Sequence, residues 1–149
     1  MTITAPPRRP GGSRQAAALL LQDLRNDLQE ARQLRVLLNL QFDALLKHDP
    51  KPLPALAVDI VASIERMQQR RARRVALVLR LVGPRAGMAE VLAGLSPSLK
   101  TMGEAWWAAL QELVRDCKDA NLRNCALLTQ QHELMQRVLE PDSDLYAPA

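Results

Sequence analysis

The sequence predicts an all-α protein, an elongated antiparallel helical bundle of three long helices plus a short connecting helix, with coiled-coil-like packing. Three observations carry that expectation. Aromatic residues make up 3% of the 149 and hydrophobic residues 48%, so the apolar content is nearly all Leu, Ala and Val, a composition that suits helices over sheets. Apolar residues recur at helical spacing through each long segment. Proline and glycine fall between those segments, in "HDPKPLP" at 48–54, "VGPRAG" at 82–87 and "LSPS" at 95–98, where they break the pattern.

Residues 1–12 are rich in Pro, Gly and Arg and are expected to be disordered, with Ser13 as the N-cap of the first helix. That helix, about 13–48, carries Leu21, Leu24, Leu28, Ala31, Arg35, Leu38, Phe42 and Leu45 in alternating steps of three and four. Such steps are the spacing of a coiled-coil seam, interrupted only by Arg35. The helix spans roughly 50 Å at 1.5 Å per residue, longer than a compact small domain is wide, hence the elongated shape. The second helix, about 53–82, continues the spacing through Ala57, Ile60, Ile64, Met67, Arg71, Arg74, Val78 and Leu81. Two arginines on that seam imply a loosely covering neighbour or acids reaching in from elsewhere. The third long helix, about 97–139, runs through Leu99, Met102, Trp106, Ala109, Leu113, Cys117, Ala120, Asn124, Leu127, Leu134 and Val138, with its register slipping near Cys117. Residues 13–139 then form one bundle domain, and 140–149 a flexible acidic tail that holds the only tyrosine, Tyr146.

The formal charge of +4 is unevenly spread: residues 1–82 carry 14 basic and 7 acidic side chains, and 83–149 carry 6 and 9. Five arginines fall in "RMQQRRARR" at 66–74. Such a run can bind phosphate backbones or anionic lipid. With no aromatic residues interleaved to stack on bases, the plainer reading of Arg66 to Arg74 is a solvated helix face.

Catalytic chemistry is not expected. His48 and His132 have no Cys or His partner at metal-ligand spacing, and "HELMQ" lacks the second histidine of a zinc helix. The acids are scattered along helix faces in the manner of solvation and i,i+4 pairing. No catalytic residue, cofactor or metal is therefore assigned, and an enzyme is not expected. Cys117 and Cys125 are roughly 12 Å apart along one helix, too far for a disulfide, and are read as reduced. The apolar stretch "AAALLL" at 16–21 lies too close to Gln22 and Asp23 for a signal peptide or membrane span. A cytoplasmic protein is expected. Trp106 and Trp107 point about 100° apart on a helix, so one enters the core and the other lies at its edge as a weak pointer to a contact site.

The stretch "WWAALQELVRDCKDANLRNCALLTQQHELMQRVL" resembles the FlgN family of flagellar export chaperones, in which a tryptophan precedes a helix bearing an Asn-x-x-Asn-Gly element and then an apolar-polar helix. Trp106 or Trp107, Asn121 and Asn124 fall on that pattern, and the likeness extends over about 15–146. Cys125 stands where the family has glycine, and the family's Leu-Tyr-Gly tail reads Leu145, Tyr146, Ala147 here. The resemblance implies a chaperone that binds the C-terminal amphipathic segments of the hook-filament junction proteins. It also implies delivery to the type III export gate, a membrane protein that Tyr146 would contact. Client binding is expected on Asn121, Asn124, Leu127, Leu128, Leu134, Met135 and Val138, because the leucines, methionine and valine exceed what one seam requires and unbranched side chains adapt to more than one ligand. Two other readings stay open at this point: a basic coiled coil that binds nucleic acid or anionic membrane through the arginine run, and a structural adaptor that forms a homo-oligomer through the Arg-interrupted seam.

Overall fold

The computed structural model describes residues 10–140, and their side chains from Arg14 onward. Four helices succeed one another: α1 (Pro10–Leu46), α2 (Leu53–Val82), α3 (Met88–Ala93) and α4 (Pro97–Leu139). No strand occurs among the described residues. The fold is all-α, as the sequence predicts. Helix α1 starts at Pro10, so Ser13 lies inside it rather than at its N-cap, and residues 10–12 belong to the helix rather than to the preceding segment.

The breaks sit where the turn chemistry puts them. At the end of α1 the His48 N–H donates to Leu45 O at 3.2 Å and the Asp49 N–H to Ala44 O at 2.9 Å. This paired arrangement closes a helix when the residue after its cap turns left-handed, and His48 has φ 53°. Proline occupies the first turn of both α2 and α4, where no N–H is missed. Gly83, at φ 81°, ends α2 while its N–H donates to Leu79 O at 2.9 Å. The Gly87 N–H donates to Glu90 Oε2 at 2.7 Å and starts α3. The Gly87 N–H, with Glu90's own backbone N–H, holds the Glu90 carboxyl below its ordinary value.

Helix α1 is the axis of the bundle. Helices α2 and α4 both pack along it, α2 antiparallel and α4 parallel, while α3 bridges the end of α2 to the start of α4. A helix with two long partners needs two seams, and α1 has them. Leu21, Leu24, Leu28, Ala31, Leu38 and Leu45 form the expected one, against α4. Leu20, Asp23, Asp27, Glu30 and Leu34 are equally buried in the same steps of three and four, and Asp23, Asp27 and Glu30 of this second line meet arginines of α2. Arg35 is not a seam residue: it is exposed and faces Asp116 across 3.8 Å.

The register of α4 also differs from the sequence reading. Its buried line is Gly103, Leu110, Leu113, Cys117, Ala120 and Asn124, with Trp106 half-buried among them. The steps of three and four then pass Cys117 without a slip. The line uses Gly103 and Leu110 in place of Met102 and Ala109. Gly103 belongs there because a Cβ would sit 2.7 Å from Leu92 Cδ2 and 3.1 Å from Leu21 Cδ2. The Leu92 and Leu21 side chains lie against the α4 backbone there and would have to shift to admit a larger residue. The larger core is built around this end from Leu20, Leu24, Leu28, Met88, Leu92 and Leu110, and a smaller one lies farther along α1 around Leu34, Leu38 and Ile60.

Candidate functional site

Three features of the bundle are candidates for function: the charged seam between α1 and α2, the trough between α2 and α4, and the end of α4.

In the charged seam, Arg73 donates to Asp23 at 2.7 and 3.0 Å, and Arg70 and Arg74 both donate to Asp27. Arg66 donates to both oxygens of Glu30, which Arg70 also reaches at 3.3 Å. Asp27 is only 1% exposed, and Asp23 and Glu30 are buried beside it. The Arg66 hydrogen bond, against the opposing cost of burial, holds Glu30 below the ordinary carboxylate value. The arginine run is thus ion-paired along one side, with Arg70 and Arg74 largely covered, while Arg66, Arg71 and Arg73 stay exposed to solvent. Four of its five guanidiniums are engaged by three acids of α1, which leaves Arg71 as the member of the run without an ion pair among the described residues. Arg71, placed on the seam by spacing, is exposed, while Arg70 takes the seam position. A buried ionic layer of this kind adds little net stability, but it fixes which turn of α2 faces which turn of α1.

Helix α4 is fastened to α1 by a second polar device. The Cys117 thiol donates to Ala31 O at 3.5 Å, Asn124 Nδ2 to Leu38 O at 2.8 Å, and Gln131 Nε2 to Leu45 O at 2.8 Å. Each bond lies seven residues beyond the last on both helices, one per pair of turns. Asn124 is 0% exposed and also donates to Gln41 Oε1 at 2.9 Å, while its Oδ1 accepts from Arg123 Nε at 3.2 Å. Its amide is committed to helix packing, and of the expected client residues Asn124 is the one with no exposed surface. Burial pushes the Cys117 thiol up, so it is a packed hydrophobe rather than a nucleophile. Both cysteines are free thiols.

The remaining expected residues separate by height along α4. Asn121 is exposed on the wall of the trough. Leu127 is half-buried and Leu128 exposed, near the top of the α1 contact. Leu134, Met135 and Val138 lie beyond it, with Leu139. The Gln131 to Leu45 bond is the last tie, because α1 ends at Leu46. The residues of α4 past that level, roughly 10 Å of helix at 1.5 Å each, have no α1 beside them. On that free end the seam spacing continues: Leu134 and Val138 come after Leu127 and Gln131 in the same steps. Leu134 is 60% exposed, Met135 63%, Val138 74% and Leu139 73%. Four apolar side chains on two adjacent turns form a patch of the kind that marks an interaction site. Tyr146 lies outside the described residues.

Trp107 is half-buried, with the Arg74 guanidinium 5.5 Å from its ring centroid. That contact links the charged seam to α4 at the lower end of the trough. Among the described residues no group of His, Cys, Asp and Glu could hold a metal ion, and no helix is long and apolar enough to cross a membrane. Compared with known proteins, the chain matches a family model described as FlgN protein over residues 17–140. Neither a curated protein nor a solved structure matches it.

Proposed function

The chain belongs to the FlgN family of flagellar export chaperones, and from that premise we propose that it works in the cytoplasm, holding the C-terminal amphipathic segments of hook-filament junction proteins on the free end of α4 and passing them to the type III export gate. The observation that carries this reading is the seam that outruns its partner. Leu127, Leu134 and Val138 repeat the spacing that packs lower α4 on α1, yet the upper two have nothing to pack on. An amphipathic helix laid along that stripe takes the place α1 has vacated, and Leu128 and Met135 widen the contact on one side. Unbranched Leu and Met side chains let one surface accept more than one client.

Delivery falls to the tail. A single amphipathic ring at Tyr146, beside Leu145 and behind Asp142 and Asp144, is suited to docking in one pocket of the gate protein. No cofactor, metal or catalytic step enters this scheme. Co-purification from flagellated cells with mass identification of the bound proteins tests it: junction proteins should accompany the wild-type chain. They should still accompany Tyr146→Ala, whose binding to the gate should fall roughly five- to hundredfold. Absence of junction proteins from the wild-type eluate would refute the client, and unchanged gate binding by Tyr146→Ala would refute the tail's role.

A further inference from the structure

We propose that the trough between α2 and α4 receives an acid-flanked amphipathic α-helix of the client, which completes a four-helix bundle. The proposal rests on the client-binding reading and adds a second surface and a charge rule to it. Helices α2 and α4 each pack on α1, but their backbones do not approach one another. They leave an open trough of about 540 Å³. Its floor is Leu34 and Leu38 of α1, and its walls include Ile64 and Met67 of α2 and Leu110 and Val114 of α4. A bundle groove with an apolar floor and walls is the place a fourth helix would fill.

Charge selects the occupant. Arg71 on the α2 side and Arg115 and Lys118 on the α4 side line the trough, are exposed, and take part in no ion pair among the described residues. The one carboxylate in the lining is Asp27, already held by Arg70 and Arg74. Uncompensated charge on both rims is therefore positive. A helix with an apolar stripe below and Glu or Asp along both flanks satisfies floor and rims together. The trough also leads towards the free end of α4, because Asn121, Cys125 and Leu128 succeed one another at helical spacing up the same wall and Met135 lies two turns beyond. One client helix can thus lie in the trough and reach the exposed patch.

Two labelled synthetic peptides of about 21 residues, roughly 30 Å as helices, provide the test. Both carry Leu at seam spacing; one has Glu and the other Lys on its flanks. Fluorescence anisotropy with the full chain should show tighter binding of the Glu peptide. The R71E/R115E/K118E variant, with its melting curve recorded alongside, should bind it about tenfold or more weakly and prefer the Lys peptide. If that variant unfolds, R71Q/K118Q serves instead, with a loss of about threefold or more expected. Equal binding of the two peptides to the wild-type chain, or unchanged binding by the folded variant, overturns the proposal. So does a wild-type dimer in sedimentation that the triple variant dissolves, because the trough would then hold a second copy. A junction protein that loses affinity in L134D/M135D but not in the triple variant would leave the client reading standing and the trough proposal refuted. Should no junction protein bind the wild-type chain, the client reading fails, and the assignment of the helix to a client fails with it.

Discussion

Removing the Asp27 carboxylate should cost about as much as truncating a buried leucine of the smaller core to alanine. Asp27 is 1% exposed and holds both Arg70 and Arg74. In Asp27→Ala, Arg70 keeps a contact to Glu30 at 3.3 Å. Arg74 keeps only the face of Trp107, 5.5 Å from its guanidinium. Stranding a buried charge costs about 3–5 kcal/mol when it cannot reach water. Arg74 retains slight exposure, a side-chain value of 11%, so the lower end, about 3 kcal/mol, is expected. For a chain of this length that is a fall in Tm of roughly 6–12 °C. Urea and thermal unfolding tracked by circular dichroism measure it. Asp27→Leu combined with Arg74→Met should recover most of the loss, since an apolar replacement of the whole pair removes the stranded charge. A loss below about 1 kcal/mol for Asp27→Ala, or no recovery in the double variant, would refute the idea that the ion pairs are a buried, register-fixing layer.

Ser63 is 1% exposed and its hydroxyl has no hydrogen-bond partner, so Ser63→Ala should raise stability by about 1 kcal/mol, and a lowered Tm would reveal a partner. Gly103→Val places carbon where Leu92 and Leu21 already stand; denaturant unfolding should show a loss of about 1–3 kcal/mol despite the better helix propensity. Because Glu30 titrates below its ordinary 4.5 in the folded chain, its contribution is present above that value and lost as pH falls through the lowered one. Unfolding measured across acid pH should therefore show a steeper decline for the wild-type chain than for Glu30→Gln.

The helices and their breaks were legible because Leu, Ala and Val keep helical spacing and proline does not. Spacing alone hid that α1 has two partners. Its second seam carries Asp23, Asp27 and Glu30, and acids on a helix read as solvated unless their partners are known; the "RRARR" run was the available clue. Adjacent seams on one helix also share neighbours, so the choice between Arg70 and Arg71, or between Leu34 and Arg35, turns on which direction the partner lies. Gly103 escaped because a core position occupied by no side chain leaves no apolar mark. Spacing puts Asn124 on the α4 seam while the family resemblance makes it a client contact, and only the parallel packing on Leu38 shows what its amide holds. The free end of α4 was visible as a surplus of apolar residues, and its lack of a partner became clear only once α1 was seen to end at Leu46.

The central claim, that the uncovered end of α4 holds the client without supporting the fold, is tested most directly by titrating a junction protein's C-terminal segment into the wild-type chain and into Leu134→Asp/Met135→Asp, with unfolding recorded on both. Both residues are more than half exposed, so the expected result is an unchanged melting curve, within about 0.5 kcal/mol, and affinity reduced about tenfold or more. Undiminished affinity in the folded double variant, or a collapse in stability that accompanies any loss of binding, would contradict it.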